Sequence, residues 1–110
     1  MNKELEKVEV SIDVAELAIA KMEALDELSK SKAFNLIIGE GYFTEEAART
    51  VSLLADPTMQ GDVDQRELMS SAKAIGHLRQ YLIQIKRNGM IMAEGLEDNQ
   101  ELADELRAEA

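Results

Sequence analysis

A chain of 110 residues can bury one modest hydrophobic core and little more, so a single domain spanning 1–110 is expected. Its 45% hydrophobic content excludes wholesale disorder. The net charge of −10, from 12 Lys and Arg against 22 Asp and Glu, excludes nucleic acid as a natural partner, because phosphates need a positive face.

The chain contains no cysteine, which removes disulfides, thiolate metal sites and a cysteine nucleophile, and suits a reducing compartment. Residues 1–9 alternate charges with single apolar residues, unlike a signal peptide. No run reaches the roughly 18 apolar residues of a membrane span. A cytoplasmic protein without membrane or nucleic-acid partners is the expectation.

Leu5, Val8, Ile12, Ala15, Ile19 and Met22 recur at alternating steps of three and four, the seam of a long amphipathic helix predicted from about Lys3 to Lys32. Val10, Val14, Leu17, Ala24 and Leu28 form a second row, more apolar surface than one neighbour needs. A second chain is expected to complete that face.

Gly39-Glu40-Gly41 is read as the break that ends the first helical stretch, with Thr44 as N-cap of a short second helix carrying Glu45 and Glu46 in its first turn. Asp56-Pro57 ends that helix, since the residue before proline avoids helical geometry. Asp62 with Gln65 forms a capping box for a third helix, whose apolar face runs from Leu68 through Ile75, Leu82 and Gly89 to Met92. Close backbone packing at Gly76 and a kink near Gly89 are expected, then a last acidic helix over 94–110, loosely attached. The fold class is all-α: an elongated bundle of three to four helices, the two long ones antiparallel, with coiled-coil-like packing.

The charge is segregated. Residues 68–93 carry Lys73, Arg79, Lys86 and Arg87 without an acid, whereas 94–110 carry seven acids and one arginine. Two readings stay open: solvated faces with weak pairs, or Arg79, Lys86 and Arg87 meeting acids of another copy or partner. Leu5, Val8, Ile12, Ile19 and Met22 join those three cations as candidate interaction residues.

No catalytic residue or cofactor site emerges. His77 is the single histidine, so a His-based metal cluster is absent and the imidazole reads as structural. Residues 56–67 resemble an EF-hand calcium loop: Asp56, Thr58, Gln60, Asp62, Asp64 and Glu67 stand at its ligand positions, and Gly61 at its sharp turn. Thr58 and Gln60 lower the ligand charge and Pro57 is unusual there, so a capped helix-loop-helix is the competing reading. The methionines around the third helix, and Phe34, Tyr42, Phe43 and Tyr81, read chiefly as core.

The segments Gly41-Tyr42-Phe43-Thr44-Glu45-Glu46-Ala47-Ala48-Arg49 and Ala74-Ile75-Gly76-His77-Leu78-Arg79-Gln80-Tyr81-Leu82 resemble small acidic helical proteins encoded by tailed bacteriophages. The resemblance covers about residues 34–94. It implies a role in virion assembly, as a structural or scaffolding-type component, or in occupying a host protein. The functional expectation is a non-enzymatic protein that binds protein partners, as a homo-oligomer or within a larger assembly. The alternatives are an acidic inhibitor or adaptor and, third, a calcium-responsive helix-loop-helix.

Overall fold

The computed structural model describes residues 2–109, which are all-α, with no strand among them. Helix α1 spans Lys3–Ser29. Asn2 caps it, its Oδ1 accepting from the Leu5 amide at 3.1 Å, and Glu4 and Glu6 complement the positive end of the helix dipole. It stops at Ser29 rather than Lys32, because Ser31 leaves helical geometry (φ −71°, ψ 127°) and accepts from the Phe34 amide to cap the next element. Asn35 Nδ2 donates to the Ser29 carbonyl at 2.8 Å, satisfying one of the orphan acceptors at that end.

The short helix α2 (Lys32–Phe34) runs directly into a π-helical segment, Asn35–Glu46, which continues into α3 (Ala47–Ala55). The expected break at Gly39-Glu40-Gly41 does not occur, and neither glycine takes a positive φ. The pair instead lets the backbone wind wide. A Cβ on Gly41 would stand 2.7 Å from the Leu36 carbonyl oxygen, five residues back, so the i→i+5 turn requires glycine there. Thr44 is no N-cap: it lies within this segment, its Oγ1 donating to the Gly39 carbonyl at 3.3 Å.

Asp56 ends α3 as expected, and its Oδ1 accepts from the Thr58 amide (2.8 Å) and hydroxyl (2.7 Å) to form a 3₁₀ turn, Pro57–Met59. Helix α4 then runs unbroken over Asp62–Glu109. Gln65 does not close a capping box. Its Nε2 donates to the Leu54 and Met59 carbonyls (3.1 and 2.8 Å) and pins the turn to the end of α3. No separate helix begins after Gly95: α4 continues through Gly89 and Gly95 to Glu109, although glycine costs a helix interior roughly 1 kcal/mol.

Contacts gather in two compact units. One joins the chain through Asp26 to the chain from Gln84 onward. There α1 and the C-terminal half of α4 pair antiparallel: Val8, Ala103 and Leu106 form the core, with Leu5 and Ile12 against it, and Met22 meets Gly89. A Cβ at Gly89 would fall 2.3 Å from the Met22 Cβ, so the close approach lies here and not at Gly76, whose surroundings are open. The acidic C-terminal stretch is a docked part of α4: Ala103 is fully buried, and Arg107 bridges to Glu9 (3.2 Å) and Asp104 (3.0 Å).

The other unit, Glu27–Ile83, holds α2, the π segment, α3 and the first half of α4. Thr50, Leu68 and Ile75 are its buried residues, and the Thr50 hydroxyl donates to the Glu46 carbonyl at 2.9 Å. Arg79 Nη2 donates to the Phe43 carbonyl at 2.9 Å while its guanidinium lies 5.1 Å from the Phe43 ring centroid, tying α4 to the π segment.

Candidate interaction surface

Helix α1 has two apolar rows, and the structure distinguishes them. The inner row, Leu5, Val8, Ile12, Ala15, Ile19 and Met22, is buried or half-buried and turned to the chain's own core. Of the five expected to bind a partner, Leu5, Val8 and Ile12 lie in or against the core cluster, Met22 meets Gly89, and Ile19 is half-buried. The outer row is bare: Val10, Val14, Leu17 and Leu28 keep 61, 51, 59 and 45% of their surface exposed. A helix paired with a single neighbour can cover only one stripe, so the second row has nothing to pack on. Glu6 and Asp13 are spaced to adjoin it on one side, while Glu9 bridges to Arg107 and Glu16 lines a groove with that arginine, on the side turned to α4.

Helix α4 carries a row of its own at steps of four and three: Met69, Lys73, Gly76, Gln80 and Ile83, all exposed, with Met69 at 48% and Ile83 at 42%. Met90 and Tyr81 are also exposed, so these members of the expected core lie on the surface, whereas Phe34, Tyr42, Phe43, Met59 and Met92 are half-buried. Tyr42 and Phe43 pack at 5.9 Å between ring centroids. Of the three candidate cations, Arg79 is held by Phe43, while Lys86 and Arg87 are exposed and enter no ion pair among the described residues.

The loop that resembles a calcium site does not take that geometry. Asp56 is occupied by Thr58, Gln60 donates to the Leu54 and Asp56 carbonyls, and α4 begins at Asp62. Asp62, Asp64 and Glu67 therefore stand on a regular helix rather than wrapping a cavity, and no cluster of three or more acidic, His or Cys side chains among the described residues could hold a metal. The Thr58 amide and hydroxyl hold the Asp56 carboxyl below the usual carboxylate range. Hydrogen bonding to Arg49, with its charge, lowers Glu46 and raises Arg49.

Surface grooves in the first unit are open and shallow, one lined by Lys3, Glu6, Lys7, Val10 and Ser11 and another by Ile12, Glu16, Gln100, Asp104 and Arg107. In the first, the Ser11 hydroxyl donates to the Lys7 carbonyl at 3.0 Å rather than to a side chain, and His77 lies exposed on α4. No described helix is long and apolar enough to cross a membrane. Comparison of the chain with protein-family models, curated proteins and solved structures finds no match.

Proposed function

We propose that this is a non-enzymatic interaction protein, a structural or scaffolding component that joins copies of itself or a larger assembly through the outer face of α1. The observation that carries this reading is the uncovered row Val10, Val14 and Leu17 on a well-formed helix whose other row is buried or half-buried. Three large apolar side chains exposed on successive turns of one helix face suit a protein-binding surface better than scattered exposure does. The acidic margin adds solubility and orients whatever docks there. Virion assembly, which the resemblance to tailed-phage proteins implies, is one setting for such a component.

The test is sedimentation velocity of the full chain beside Leu17→Asp, with helicity checked by circular dichroism. The variant keeps its helix content, because Leu17 is exposed, and sediments as the lone chain where the wild type sediments faster. Equal sedimentation of both proteins over a wide concentration range defeats self-assembly through this face. A second reading, an acidic adaptor occupying another protein, is favoured by the exposed carboxylates of Glu97, Asp98, Glu101 and Asp104. It predicts a chain that stays monomeric until that protein is added.

A further inference from the structure

The outer row of α1 and the exposed row of α4 match in length, charge and relief. Val10, Val14, Leu17, Lys21 and Ala24 advance by four, three, four and three residues, and so do Met69, Lys73, Gly76, Gln80 and Ile83. Each row therefore spans about 21 Å along its helix. Asp13 adjoins the α1 row, and α1 carries eight acids against three lysines, whereas α4 carries four cations and no acid from Leu68 to Ala93. Every residue of both rows is exposed.

Gly76 supplies a further observation. Nothing lies within 4 Å of the position its Cβ would take, so no contact inside the chain calls for glycine, in contrast to Gly89 against Met22. An exposed glycine in the middle of a helix lowers its stability. The notch it leaves lies at the centre of the row, between Met69 and Ile83, where the backbone of a second helix can approach closely.

Resting on the assembly reading above, we infer that the outer row of α1 in one copy docks on the Met69–Ile83 row of α4 in a second copy, with Leu17 seated over Gly76. Charge selects the direction. Run parallel, the helices place Val14, with Asp13 beside it, at Lys73 and set Lys21 against the neutral Gln80; run antiparallel, they set Lys21 against Lys73. Two α1 helices paired with each other would instead bring like net charge together, three lysines against eight acids on each. The occupant that fits is therefore the α4 row of another copy of this chain.

Four variants of the full chain test this, read as the dissociation constant of self-association by sedimentation equilibrium. Gly76→Gln fills the notch: association weakens by about tenfold or more, as for a central anchor, while the thermal midpoint of the dissociated chain rises because glutamine is the better helix former. Lys73→Glu weakens association too. Asp13→Lys also weakens it, although it makes the chain less negative, and the double variant Asp13→Lys with Lys73→Glu restores it. A pure net-charge effect would strengthen association in Asp13→Lys, and that result overturns the inference, as does a double variant that associates no better than its weaker parent. If Leu17→Asp breaks the assembly while Gly76→Gln and Lys73→Glu leave it intact, the assembly reading stands and this docking site falls. A monomeric wild type overturns both.

Discussion

A methyl group added at Gly89 should destabilise the chain, and the same methyl added six residues later should stabilise it. The Cβ of Gly89→Ala would lie 2.3 Å from the Met22 Cβ and 2.8 Å from its Sδ. The sulfur can swing away; the Cβ is fixed to the backbone, so α1 and α4 must separate. Overpacking of this kind costs about 1–3 kcal/mol, against the roughly 1 kcal/mol by which alanine is the better helix residue. The net expectation is a loss of about 1–2 kcal/mol, using the upper part of that range because the obstacle is rigid. At Gly95 no atom lies within 4 Å of the added carbon, so Gly95→Ala keeps the helix gain of about 1 kcal/mol. At roughly 4–6 °C per kcal/mol for a chain of this size, the two variants should melt on opposite sides of the wild type, about 8–18 °C apart. Thermal and urea unfolding followed by far-UV circular dichroism at matched concentration measures this, the matching being needed because self-association raises apparent stability. In a Met22→Gly background the Gly89→Ala penalty should become a gain. If Gly89→Ala stabilises as much as Gly95→Ala, α1 and α4 do not meet as described.

Three further outcomes follow from local geometry. Gly41→Ala forces a Cβ to 2.7 Å from a backbone oxygen, so the π segment must rewind; a shift in the backbone amide spectrum confined to about residues 35–46, with lower stability, is expected, and an unchanged spectrum contradicts it. Arg79→Ala loses the bond to the Phe43 carbonyl and the stacking over its ring, a cost of about 0.5–1 kcal/mol for an exposed cation–π pair, of which Arg79→Lys recovers only part. The carboxyls of Asp56 and Glu46 are held below their ordinary range, so their contribution is complete above that range and is lost as pH falls through their lowered folded values. Asp56→Asn should therefore be less stable than the wild type at neutral pH and converge on it in acid; a constant difference across that range sinks the assignment.

The helical class and the inner seam of α1 could be read from spacing alone, because steps of three and four build the same face whatever the helix meets. The stop at Asp56-Pro57 and the start of α4 near Asp62 were legible for the same local reason. The glycines were not. A glycine in a helical pattern has the same letter whether it permits a widened turn (Gly41), a close neighbour (Gly89) or an open notch (Gly76), and only the surrounding atoms separate these cases. The second row of α1 was visible as surplus apolar surface, but which row faces inward depends on the pairing with α4. Arg79 likewise looked like a free cation until Phe43 was placed beside it. The calcium-like spacing of residues 56–67 failed because Asp62 starts a helix, which directs later carboxylates outward at helical steps rather than toward one centre.

The most direct test is the solution mass of the full-length chain by light scattering after size exclusion, across a concentration series. The account predicts a mass that is a multiple of one chain and falls to a single chain in Leu17→Asp. A wild type that remains a single chain at every concentration, with Leu17→Asp indistinguishable from it, contradicts the claim that the outer face of α1 is where copies of this protein meet.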